Sequence, residues 1–92
     1  MVDYEKLKQA RNMGFIKHIG VETVELREGY AKGEIVLDER HANPIGSTHG
    51  GVLFTLVDTV GGAAATSRGR YVTTVSGNIN YLRPAMNCKK LI

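Results

Sequence analysis

A chain of 92 residues, 42% of them hydrophobic, supports one small domain spanning 1–92 and no second one. Its charge of +3 arises from 12 basic and 9 acidic residues scattered along the chain, with no Trp and no basic-aromatic interleaving, which speaks against nucleic acid. No apolar run reaches bilayer length, so no membrane partner is expected; the single cysteine, Cys88, excludes an internal disulfide and, without a secretory leader, points to a reducing, cytoplasmic setting.

In chain order, Asp3 is a helix cap, and Tyr4, Leu7 and Ala10 or Arg11 share one face of a helix reaching about Asn12, with Gly14 as its stop. Ile19 to Leu26 is rich in β-branched residues and reads as a strand. Arg27-Glu28-Gly29 is a hairpin turn. Tyr30 to Leu37 then alternates, with Ala31, Gly33, Ile35 and Leu37 on one face and Lys32 and Glu34 on the other. The stretch from Asp38 to Thr48 holds the turn pairs Asn43-Pro44 and Gly46-Ser47, so it is a loop. Thr48 to Ser67 is the main helix, on length and apolarity rather than propensity, since Gly50, Gly51, Gly61 and Gly62 weaken it; a strand over Val52 to Val57 is the alternative. Gly69 closes that helix. Val72 to Leu82 alternates again and is expected as a strand ended by Arg83-Pro84. Leu91-Ile92 opens a further strand. A hairpin, a long helix and more strands make an α+β domain on an antiparallel sheet. So small a domain buries little surface, and oligomerisation is the expected extra source of it.

Asp58 is the sole charged residue between Val52 and Ala65. An ionised carboxylate among apolar neighbours is costly without a reason, which makes Asp58 the first functional candidate. The plainer alternative is that it sits at the helix–solvent boundary. Gly50 and Gly51 follow a plausible cap at Ser47 or Thr48. Their N–H groups would leave the helix N-terminus unpaired, a setting for a carbonyl oxygen gaining negative charge. Gly61-Gly62-Ala63-Ala64-Ala65 reads as a small-residue face that lets the sheet pack closely. His49, beside the glycine pair, is either a catalyst or a structural hydrogen-bonder. His18, His41 and His49 lack metal-ligand spacing, so no metal is expected. A Ser47/His49/Asp58 triad is disfavoured because Ser47 lies in no strand–turn–helix elbow.

Asn43-Pro44-Ile45-Gly46-Ser47-Thr48-His49-Gly50-Gly51, with Asp58 eight residues after Gly50, resembles the signature of the PaaI-type (phenylacetate-degradation) thioesterases of the hotdog superfamily. Asn78-Ile79-Asn80-Tyr81-Leu82-Arg83-Pro84-Ala85 is similar to that family's strand after the helix. The resemblance runs from about Phe15 to Ala85. It implies a hotdog fold, a long helix wrapped by a curved antiparallel sheet, that continues past Pro84 in the family, so the chain reads as C-terminally truncated. It implies Asp58 as general base or nucleophile and Gly50 N–H as the group polarising a thioester carbonyl. Asn43 and His49 would orient the thioester, Thr74 would help place the attacking water, and Gly51 would lie along the substrate. It also implies homodimers or homotetramers in which Asp58 faces Gly50 of another subunit.

The function so implied is hydrolysis of a small, medium-chain or aromatic acyl-CoA. No cofactor is expected, because coenzyme A is part of the substrate. Its phosphates call for cations, for which Arg83, Arg68 and Lys89 are candidates, each with ordinary surface charge as the alternative. A non-catalytic acyl-CoA-binding or regulatory module and an inactive fragment are further readings, and a hotdog dehydratase is a fourth that resembles the signature region less.

Overall fold

The computed structural model describes all residues from Met1 to Ile92. Helix α1 covers Tyr4–Arg11 and is capped by Asp3, whose Oδ1 accepts from Lys6 N–H. It ends at Asn12, not at Gly14. Gly14, at φ +56°, instead starts a second short helix, α2 (Gly14–Ile19), which Gly20 terminates in the left-handed conformation. The first strand is therefore displaced from its expected start at Ile19. Ile19 belongs to α2, and β1 covers Val21–Arg27.

Strand β1 pairs antiparallel with β2 (Tyr30–Val36) across a turn in which Gly29 takes φ +73°. The register slips between Thr23 and Glu25, a bulge. As the alternation predicts, Gly33 and Ile35 are buried, while Ala31 and Leu37 are half-buried. A short 3-10 turn, Glu39–His41, leads through the loop to α3 (Gly50–Thr66), a 17-residue helix.

Helix α3 turns Val52, Leu56, Thr59, Ala63 and Thr66 inward, at spacings of three and four. Val52 and Leu56 meet Val21 and Ile35 of the sheet to form the core, flanked by Ile16, Ile19, Leu37, Val60 and Leu91. Helix and sheet approach closely at Gly33, where an added Cβ would collide with Val60 Cγ2. The small residues at 61–62 serve another purpose than the expected one: nothing lies within 4 Å of the space above Gly61, and Gly62 makes room for the Arg11 guanidinium. Past the helix, Ser67 is fully enclosed; its hydroxyl donates to Ala64 C=O and accepts from Gly29 N–H at 2.7 Å, tying α3 to the hairpin turn.

The expected strand over Val72 to Leu82 is absent. Its residues join no ladder and are exposed apart from the half-buried Ile79. Alternation marks the two faces of a strand, but only a neighbouring edge makes one by pairing its N–H and C=O groups. Here the free edge of β2 is taken by β3 (Lys90–Leu91), paired to Val36 and Ile35, and by Lys89, whose C=O accepts from Leu37 N–H. The sheet order is β1-β2-β3. No helix is long and apolar enough to cross a membrane.

Candidate active site

The loop before α3 is built on two side chains. His41, 1% exposed, accepts from Asp38 N–H through Nδ1 at 3.0 Å, which leaves Nε2 to donate to Ile19 C=O at 2.7 Å. His41 C=O accepts from His49 N–H, so the end of α2 and the start of α3 are linked through one buried residue, by its ring on one side and its backbone carbonyl on the other. Asn43 closes the next turn: Oδ1 accepts from Ile45 and Ser47 N–H, and Nδ2 donates to Ser47 Oγ at 2.6 Å. Asn43 thus shapes the loop that delivers His49 and Gly50.

The cap of α3 is His49, not Ser47 or Thr48. Its Nδ1 accepts from Gly51 N–H at 2.8 Å, so one of the two glycine amides is already bound. Gly50 N–H donates to no protein acceptor, whereas Gly50 C=O accepts from the Tyr81 hydroxyl at 3.0 Å. The Tyr81 ring lies where a Gly50 side chain would be, 3.2 Å from an ideal Cβ. A side chain at 50 would press on this ring, which would have to give by a few tenths of an ångström.

Asp58 is not buried. The sheet takes the opposite face of α3, and the side of the helix that carries Asp58 also leaves Phe54 and Val57 exposed. The apolar neighbours that pointed to a hidden carboxylate belong to a helix that is apolar on both sides. Asp58 instead lines a groove of about 650 Å³ between α1, α2, α3 and the segment 72–79. There Thr74 Oγ1 donates to Asp58 Oδ1 at 2.6 Å, so two residues 16 apart in sequence meet. Arg11 and Asp58 are the only ionisable residues in that lining.

The sequence pattern marks Arg11 only as part of a helix face. Its Nη2 donates to Thr59 C=O at 3.1 Å and its Nη1 to Thr66 Oγ1 at 3.4 Å. Burial pulls its pKa below the ordinary arginine value, and the charge of Asp58 opposes that shift. A cation on the core-facing side of α1 is the sequence signal that could have exposed it. The three cations expected at the site mouth do not line this groove. Arg68 pairs with Glu28 at the hairpin turn, at 3.2 Å, Lys89 sits at the β2 edge, and Arg83 is exposed. No cluster of His, Cys, Asp and Glu is suited to a metal ion.

Within one chain Asp58 and Gly50 do not converge. Eight residues of one helix separate them, about 12 Å of axial rise, and Gly50 is outside the groove lining.

Residues 45–91 match the thioesterase superfamily. A relative from Archaeoglobus fulgidus is 30% identical over all 92 residues of this chain and 60% of its own length. Acyl-coenzyme A thioesterase 13 of Homo sapiens is 37% identical over 82 residues, 86% of this chain and 57% of that protein. Among solved structures, the PaaI protein of the E. coli phenylacetic acid degradation operon superposes with a TM-score of 0.80 at 28% identity, covering 90% of this chain and 62% of that one. The chain spans about 60% of the length of the curated relatives it matches. The α+β hotdog architecture expected from the sequence is thereby established. With residues 45–91 matched, the long helix among them, the chain belongs to the thioesterase superfamily.

Proposed function

We propose that the protein hydrolyses acyl-CoA thioesters of small, medium-chain or aromatic acyl groups, with Asp58 as general base and Gly50 N–H as the donor to the carbonyl oxygen. The observation that carries this reading is the 2.6 Å bond from Thr74 Oγ1 to Asp58 Oδ1 at the wall of an open groove. It holds one carboxylate oxygen and leaves the other to take a proton from water. That water's oxygen attacks the thioester carbonyl, negative charge gathers on the carbonyl oxygen, and the C–S bond breaks as the proton held on Asp58 passes to the leaving thiolate, releasing the acid and the free thiol. A free amide at the positive end of α3 suits the charge that develops.

Since Asp58 and Gly50 of one chain stand a helix half-length apart, the complete site takes Gly50 from a second copy, in a homodimer or homotetramer. Asn43 and His49 act by holding the loop that presents Gly50. The lone cysteine Cys88 suits a reducing cytoplasm. The test is a thiol-release assay over short, long and aromatic acyl-CoAs, beside a measurement of assembly size. Asp58→Asn is expected to lower kcat/KM by about two orders of magnitude or more with the assembly unchanged. Hydrolysis that survives this substitution at the wild-type rate removes Asp58 from the mechanism.

A further inference from the structure

The groove that holds Asp58 has a second ionisable group, and α1 is fastened to α3 through it. Of the five N–H donors of Arg11, one on Nη1 goes to Thr66 and one on Nη2 goes to Thr59. Nε is enclosed and has no partner. One N–H on each terminal nitrogen remains. Both protein acceptors are neutral, and Arg11 enters none of the ion pairs of the molecule. The charge of Asp58 acts on this half-buried guanidinium but forms no contact ion pair with it, so an incoming carboxylate in direct contact would relieve the desolvation further.

Its position along the helix gives this a direction. Arg11 lies over Gly62, with its Nη2 3.2 Å from where a side chain at 62 would begin. Gly62 is one helical turn beyond Asp58, about 6 Å of rise. Gly61, Gly62 and Ala65 keep that part of the wall low, and Phe15, Ile16, Phe54 and Val57 make the adjoining lining apolar. The groove therefore runs from the carboxylate at Asp58, over small and apolar residues, to a cation.

We propose that Arg11 sets the substrate class of this groove, which takes a short acyl thioester carrying a carboxylate at the end remote from the thioester. The proposal rests on the thioesterase reading given above. Asp58 repels such an anion, so the bound carboxylate lies on the side of Arg11 away from Asp58, and a purely apolar chain of equal length leaves the guanidinium unpaired.

The test separates binding from hydrolysis. Non-hydrolysable S-alkyl thioethers of coenzyme A of one chain length, ending in methyl, carboxamide or carboxylate, are titrated calorimetrically into the wild-type protein, Arg11→Met and Arg11→Lys. The carboxylate-ended thioether is expected to bind wild type about tenfold tighter than either neutral one. Arg11→Met should level the three, and Arg11→Lys should keep part of the preference. Equal binding of carboxylate and carboxamide by wild type overturns the proposal whether or not Arg11→Met folds, and so does a preference that persists in Arg11→Met. Hydrolysis is read on the matching thioesters. A carboxylate preference in binding with no thioester cleaved upholds the Arg11 subsite and rejects the thioesterase reading. Failure of all three thioethers to bind rejects both.

Discussion

The seat of α3 on the sheet depends on one missing side chain, and Gly33→Ala tests it. A Cβ at this buried position in β2 would overlap Val60 Cγ2 and come within 3.5 Å of Glu22 C=O and 3.6 Å of Leu56 Cδ1. Leu56 is a core residue and the backbone of β1 is laddered, so neither yields readily. Val60 is half-buried, and its rotation or retreat is the main relief. Overpacking of this kind costs about 1–3 kcal/mol. Alanine regains roughly 0.5–1 kcal/mol over glycine inside a strand. The overlap with Val60 is deep, so the upper part of the overpacking cost, about 2–3 kcal/mol, applies and the net loss is about 1–2.5 kcal/mol, or a fall in Tm on the order of 5–20 °C for a chain of this length. Urea denaturation followed by far-UV circular dichroism, at one protein concentration for every variant, measures it. The diagnostic is the cycle with Val60→Ala, which alone removes two methyl groups and costs about 1 kcal/mol. If the clash is real, Gly33→Ala/Val60→Ala is less destabilised than the sum of the two single variants by about 1 kcal/mol. Strict additivity, or a Gly33→Ala variant as stable as wild type, would show that the helix does not lie on β2 as described.

Two further substitutions probe the site. Thr74→Val keeps shape and removes the donor to Asp58; because the bond is exposed, kcat/KM for a thioester should fall by roughly threefold to thirtyfold rather than be lost, with Tm little changed, and an unaltered rate would refute an orienting role. Asn43→Ala removes the acceptor for Ile45 and Ser47 N–H and the donor to Ser47 Oγ, so urea denaturation should report a loss of about 2–3 kcal/mol; Asn43→Asp, which keeps the acceptor, should lose only about half of that, and equal losses would deny the acceptor its part in the loop.

Much of the local structure was legible in the chain. Asp3, Gly29 and the alternation of Tyr30 to Leu37 are short-range signals, because caps, positive φ and strand faces depend on neighbours within a few residues. The long helix was legible by its length and apolarity despite four glycines. The motif from Asn43 to Asp58 pointed to the family, and its part from Ile45 onward lies within the match over residues 45–91. Legibility failed wherever the outcome turned on what stands opposite. Gly14 looks the same as a stop or a start, and the second helix that follows packs on β1. Val72 to Leu82 alternates like a strand, but the edge of β2 belongs to Lys89–Leu91, so no ladder forms there.

The sequence by itself determined which residues cap, turn and alternate, and which superfamily the loop and helix belong to, since all of that is written in spacings along one chain. The tertiary structure alone decided the environment of Asp58 and the role of Arg11. An apolar helix does not say which of its sides the sheet will cover, and here the sheet covers the side of Leu56 and Ala63 and leaves Asp58 in an open groove. Thr74 and Arg11 reach that groove from 16 residues after Asp58 and 47 before it, brought there by packing of α1 and of the segment after α3. Contacts over such separations follow from which surfaces bury each other, which no local pattern encodes.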